Sequence, residues 1–530
     1  MVLSALVGHI GIAEEISRHA GETKCFDFIK ENLTNCIKNH KCGGLGNLPL
    51  LPDRVVWIQA NSPSGMRLLE PKEVRAKYIA LSYCWGMTDS DTYLTDMSNI
   101  HERKADMQFC DLPPLFQDVI DCARMLDIEY IWIDRLCIIQ GDDGDFESQA
   151  PKMGEVYGNA TLTIAAGSAA SENERILVTR QSRWLASDLD MNVMGIGFLH
   201  LRFRRRSYAL GSEARGGDYG KISTRAWVWQ ERLLSKRTVF YTPSALKFEC
   251  HCHSTWEGFG QGITGPSWSA QLDNVSHFSW RRMVEEFTSR DITRPSDRLP
   301  AITSVMKRIE KNKSWSPVWG IWANDLVESL SWKSTPKDFT VCRMNPGHYA
   351  PTWSWASVDG PISFSRAVEY GHHNEDPDPA IVDLEVRKLD AISGLITVAG
   401  RIIRVNLRCR VVLSDLHHIN PDKHKKFSYH YEIVAEGGRS LPIRADVPLK
   451  PQHSNKEVWA ARATYGENSP EESWEAHCFC LLVVKWKLVS LALLLGVSSR
   501  EPEACERIGI VLGIRPTNFG MSQKHAISIA

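Results

Sequence analysis

The residue best placed to do chemistry in this chain stands at the end of an apolar run. Tyr130-Ile131-Trp132-Ile133 is an unbroken aromatic and β-branched stretch, the pattern of a strand buried on both faces, and Asp134 follows where the run gives out. In an open parallel sheet, ligands bind outside the carboxyl ends of the strands, so a carboxylate there is a candidate site residue. Its chemistry would be to face a developing positive charge. The competing role is to cap a helix or to pair with Arg135. Asp142, Asp143, Asp145, Glu147 and Glu155 lie just downstream and are further acidic candidates near the same edge.

Other reactive side chains are spaced less favourably. Cys84 and Cys137 sit beside apolar motifs, but a cysteine nucleophile needs a histidine base and neither motif contains one, so buried thiols are expected. Cys36-x3-His40-x-Cys42, with Cys25 upstream, matches no common zinc ribbon or finger, and a buried Cys/His cluster is expected there. Cys250-His251-Cys252-His253 on one strand would put both thiols on one face and both imidazoles on the other, which disfavours a single metal. The expectation is therefore no metal. Arg225, Gln230, Glu231 and Arg232 form a dense polar set beside Trp227 and Trp229, able to bind a phosphate or to pair among themselves. Trp85, at a strand end, could stack on a planar ring, whereas Trp132 reads as core. The chain carries no GxxxxGK[ST] phosphate loop.

The elements that must position these residues alternate. Strand 78–85, helix 114–126 opening on Pro113-Pro114, strand 129–134, helix 146–158 and strand 161–166 form successive βαβ units. The second helix carries a stripe of Phe146, Ala150, Met153 and Tyr157, with Pro151 placed to start or kink it. A right-handed, parallel, flavodoxin-like sheet flanked by helices is the expected fold. Beyond it, 282–309 and 318–330 read as helices, 371–379 as a loop, and strands dominate from about Thr352, notably at 395–405, 479–495 and 507–514.

These motifs carry a resemblance. YIALSYCWG, LPPLFQDVIDCARML, YIWIDRLCIIQ, M-x-x-VY-x-NATLTIAA and the closing RAWVWQERLLS resemble, in order, the fungal heterokaryon-incompatibility (HET) domain. Pro52-x-Arg54, DRLPA at 297–301 and APTWSWA at 350–356 are similar to segments that accompany it. The resemblance implies fungal non-self recognition and cell death, a self-associating domain or an incompatibility partner protein, and distant kinship with TIR domains. Some TIR domains cleave NAD, which makes NAD a candidate substrate, with no cofactor required. A carboxylate near the nicotinamide ribose would then stabilise oxocarbenium-like charge. Asp134, Glu147 and position 149 are the catalytic candidates; Ser82, Tyr83, Trp85, Arg225, Gln230, Glu231 and Arg232 are the binding candidates. The family usually carries glutamate where this chain has Gln149, so either Glu147 substitutes or this copy has lost the chemistry, and loss is the expectation. Glu231 is a third source of the missing charge, across the cleft.

Bulk properties set the frame. A chain of 530 residues is too long for one core, and the expected division is an N-terminal region at 1–75, the HET domain at 76–256 and an α+β region at 257–530 with a mainly β end. Lys plus Arg (62) balances Asp plus Glu (63), which gives no reason to expect a nucleic-acid footprint. The most apolar segment, 479–495, is broken by Lys485 and Lys487 and reads as paired strands rather than a membrane span. Neither a signal peptide nor a disulfide framework is expected for the fourteen cysteines, and a cytoplasmic location follows.

Overall fold

The computed structural model describes residues 14–42, 48–59, 65–86, 93–193, 197–203, 219–258, 268–335, 350–365, 381–413, 427–434, 440–454, 457–463, 471–486, 489–498, 501, 503–520 and 523–530. The chain forms two compact units, Met1–Asn274 and Val275–Ala530.

In the first unit, helix α1 (Thr23–Asn39) precedes the hairpin β1 (Val55–Ile58) and β2 (Met66–Leu69) and then β3 (Tyr78–Ser82). A short helix α2 (Ile100–Ala105) leads to α3 (Pro114–Met125), β4 (Tyr130–Trp132) and one turn, α4 (Asp134–Cys137). Then come α5 (Asp143–Gln149), α6 (Met153–Asn159) and β5 (Leu162–Ala165). A separate hairpin, β6 (Ser187–Val193) with β7 (Gly197–Phe203), is followed by α7 (Ala226–Leu234) and the meander β8 (Arg237–Tyr241), β9 (Leu246–Cys250) and β10 (His253–Trp256).

One eight-stranded sheet, in the order β10-β9-β8-β5-β3-β4-β1-β2, organises this unit. β3 runs parallel to β4 on one side and to β5 on the other, and β5 runs parallel to β8. The sheet is thus mixed rather than wholly parallel. Parallel neighbours need a long crossover, whereas residues 242–245 and 251–252 are enough only for tight returns, so β9 and β10 add antiparallel strands. On the opposite edge β1 pairs antiparallel with both β4 and β2.

β3 is buried at every residue, as its unbroken apolar run requires. Leu115, Phe116 and Val119 of α3, fully buried, supply the facing layer. The expected helix over 146–158 is two helices joined by a 3-10 turn at Ala150–Lys152, because Pro151 has no N–H to give the ladder.

The second unit opens with two helices, His277–Thr288 and Pro300–Lys313, where one was expected across 282–309. Pro295 and Pro300 interrupt it, and Ser276 starts the first with a reciprocal capping box to Ser279. The helix expected over 318–330 is instead a tight pair, Pro317–Val318 with Ile321–Trp322, turned through Gly320 at φ +81°, before one short helix at Leu326–Ser329. Strands then dominate, in one large mostly antiparallel sheet. Trp474–Trp486 pairs with Val489–Val497, the hairpin expected from the apolar segment. Arg507, with no exposed surface, is fixed by Asp446 at 3.0 Å and stacks over Trp332 at 3.7 Å. The loop expected at 371–379 lies outside the described residues.

Candidate active site

The registers Ser82↔Ala165 and Ala80↔Trp132 bring the carboxyl ends of β3, β4 and β5 to one edge. Asp134 opens the single-turn helix immediately after β4. Its Oδ2 accepts from Trp85 Nε1 at 2.7 Å and its Oδ1 from the Arg135 backbone N–H at 2.7 Å. The carboxylate thus orders its own helical turn and faces the Trp85–Tyr83 corner. Burial pushes its carboxyl above the usual range, opposed by the Trp85 hydrogen bond and the nearby Arg225 guanidinium.

Glu231 enters the same corner from α7. It is 5% exposed, and its Oε2 makes no hydrogen bond among the described residues. Burial drives its carboxyl up to about 7; the neighbouring Ser82 hydroxyl opposes this, and the Asp134 charge adds to it. Tyr157, alongside, donates its own hydroxyl to Leu81 O at 3.0 Å. Arg225, the residue before α7, donates to Tyr83 O at 3.0 Å and stands 6.0 Å from the Trp85 ring, where its charge favours ionisation of both carboxyls. Arg135 covers Trp85 from another side at 4.6 Å and is itself locked to buried Glu172 at 2.5 Å. Two carboxyls pushed upward by burial, with one guanidinium acting on both, are a recurrent arrangement for acid–base work.

The other acidic candidates serve different ends. Asp142 caps α5 by accepting from Asp145 N–H at 3.2 Å, and Asp145 clamps Arg54 and the Ile139 N–H. Glu147 and Glu155 are exposed. Gln149 donates to Asp53 at 3.0 Å, a carboxylate also held by Lys152 at 2.6 Å, so its amide belongs to a surface network. Arg232 turns away from Asp134 to Glu249 at 2.9 Å, over the rings of Tyr219 and Phe240. Gln230 is fully buried in the same helix. Trp132 packs edge-on against Tyr157, and Trp227 edge-on against Phe146. Cys84 and Cys137 are buried, and desolvation raises both thiols, Cys137 to about 12.

A second cluster joins residues that read as separate in sequence. Cys36, His40, Cys42 and Cys250 place their ligand atoms within 4.8 Å of one another. The run Cys250–His253 is not one strand but the turn of the β9–β10 hairpin, with Cys250 paired to His253, so the alternating-face expectation does not apply. Cys25 takes no part; its thiol faces Glu257 at 3.7 Å.

A mixed α/β domain with paired carboxyls at the carboxyl edge of its central strands is the class these observations define. Residues 78–231 match the family described as Heterokaryon incompatibility protein (HET), so the chain carries a heterokaryon incompatibility domain over that span. The match runs from the first residue of β3 to Glu231, and so encloses Ser82, Asp134, Arg225 and Glu231. No curated protein and no solved structure matches the chain. Among the described residues, no helix is long and apolar enough to cross a membrane.

Proposed function

We propose that this chain acts in fungal non-self recognition, its HET domain committing the cell to death through self-association or an incompatibility partner protein. The observation that supports this reading is the family match over β3, β4 and β5 and the carboxyl edge they share. The test is induced expression of the full chain in a fungal host, with growth arrest as the expected result. Sustained growth at verified protein levels overturns the reading.

A second reading, TIR-like cleavage of NAD, is favoured by the proximity of Asp134 and Glu231. The parallel strands in the order β4-β3-β5-β8 follow the 2-1-3-4 order of flavodoxin-like sheets, which have their ligand crevice at this edge. In the reaction, the bond between ribose C1′ and the nicotinamide nitrogen breaks and nicotinamide leaves with the electron pair. Water then adds to C1′ and loses a proton, giving ADP-ribose. Asp134, anchored by Trp85 and the Arg135 N–H, faces the cationic ribose. Glu231, ionising near neutrality, receives the proton of the attacking water. Gln149 has no part in this scheme, so its lack of charge removes nothing from the pair. Full-length protein should consume NAD, with Asp134→Asn and Glu231→Gln each slowing it about 100-fold or more. If the native chain is inert and Gln149→Glu gains activity, the site lies on α5. If both are inert, the non-enzymatic reading stands alone.

A further inference from the structure

The cluster at the C-terminal end of α1 has the composition and geometry of a closed metal site. Cys36 and His40 lie four residues apart at the end of α1, hence on one face, and the chain returns through Cys42. Cys250 closes the set from the end of β9. His40 Nδ1 is 3.3 Å from Cys250 Sγ. A tetrahedral Zn²⁺ with Zn–S near 2.3 Å and Zn–N near 2.0 Å spaces its ligand atoms by roughly 3.5–3.8 Å, inside the spread seen here. Three of the four residues are essentially buried and His40 is partly so.

We propose that this chain binds one structural zinc ion through Cys36 Sγ, His40 Nδ1, Cys42 Sγ and Cys250 Sγ. Soft thiolates with one imidazole select zinc over the hard cations. Four protein ligands leave no open position for water, so the ion holds structure and does no chemistry. Three thiolates and a neutral imidazole around Zn²⁺ carry a net charge of −1, and Arg237 Nε donates to Cys36 Sγ at 3.2 Å to offset it. Arg237 is the register partner of Cys250 across β8 and β9, so the site would fasten α1 to that end of the sheet. Cys252 Sγ lies 3.3 Å from Cys42 Sγ and is the competing fourth ligand, or a disulfide partner.

The experiment is elemental analysis of full-length protein purified without chelator. One zinc per chain is expected. Cys36→Ser and His40→Ala should lose it, Cys252→Ser and the exposed Cys110→Ser should keep it, and Arg237→Gln should weaken it by about 10–100-fold. Because a ligand variant can fail to fold, the unmodified chain supplies the second measurement. Stripping the metal with a strong chelator should lower the melting temperature, and adding Co²⁺ should restore it with thiolate-to-cobalt charge-transfer absorption and tetrahedral d–d bands. A metal-free native chain that takes up no Co²⁺ overturns the proposal. So does a Cys42–Cys252 or Cys36–Cys250 disulfide found by mass spectrometry in the freshly purified protein. Zinc lost in Cys252→Ser but kept in His40→Ala overturns the ligand set.

Discussion

Replacing Glu231 by glutamine should remove a pH dependence that the folded protein carries. The carboxyl titrates at 4.5 in the unfolded chain and near 7 in the fold. Between those values the native state holds a proton that the unfolded state has lost, so stability falls as pH rises through that window. At about 1.4 kcal/mol per pH unit, the full loss is about 3 kcal/mol, complete by about pH 8. Glu231 is buried, so solvent screening does not shrink this figure. About three-quarters of that loss falls between pH 5 and pH 8, and each kcal/mol shifts the melting temperature of a domain this size by roughly 2–4 °C, so the wild type should lose roughly 5–10 °C relative to Glu231→Gln across that range. The amide gains or loses hydrogen bonds of its own, but that offset is independent of pH, and the readout is the change in the difference. Melting of the full chain, followed by tryptophan fluorescence at several pH values, supplies it. A difference that stays flat, or that shrinks as pH rises, refutes the picture of a desolvated carboxyl. Two companion variants locate the source. Arg225→Met should move the midpoint of the dependence upward by removing a cation, and Asp134→Asn should move it downward by removing an anion.

Two further outcomes follow from the same unit. Arg135→Met leaves Glu172 buried without its cation and should cost about 3–5 kcal/mol in urea unfolding, less at pH 5 than at pH 8 because Glu172, already pushed upward by burial, can take a proton instead. Gly220→Ala should lower the melting temperature sharply, since φ is +104° and the added Cβ would fall 2.0 Å from Gly167 O; the backbone conformation alone is worth about 1–3 kcal/mol, and unchanged melting would contradict the packing at this crossing.

What the sequence disclosed was local. Tyr130–Ile133 announced a buried strand, and Asp134 its end, because an apolar run and a charge need no tertiary context to be read. Pro151 marked the helix break for the same reason. The three strands read as parallel, 78–85, 129–134 and 161–166, are parallel neighbours, but the antiparallel strands on both sides of them were not read, because an apolar run does not show its direction and only the short return at 242–245 decides it. Gln149 drew attention because the resembled family usually carries glutamate there, but the break at Pro151 leaves it on a short separate helix bound to Asp53. Glu231 was one polar residue among four in its motif, and nothing in its spacing distinguished it from Arg232, which faces Glu249. The two halves of the Cys/His cluster read as separate for a similar reason. His40 and Cys250 are 210 residues apart, and each half alone matches no ligand spacing.

The two clusters also divide the first unit in a way that bears on what each is for. Every carboxyl and cation of the Asp134–Glu231 corner lies within the matched span 78–231, whereas Cys36, His40, Cys42, Arg237 and Cys250 all lie outside it. The span covers β3, β4, β5 and α7 as far as Glu231, the elements that must meet for Asp134 and Glu231 to share a charge environment. β8 lies beyond the span, yet it is the parallel neighbour of β5 and follows α7 directly. Thr163 Oγ1 and Ser235 Oγ, 2.8 Å apart, tie that junction to β5, and Ser235 also donates to the carbonyl of Glu231. Whatever restrains β8 therefore restrains the helix that carries Glu231. A staple from α1 to the β8–β9 edge acts on that strand, so removing zinc should loosen Glu231 before it unfolds the unit. Amide hydrogen exchange in α7 and β8, faster after chelation while β3 stays protected, would carry that coupling; equal acceleration in all three would assign the metal to global stability alone.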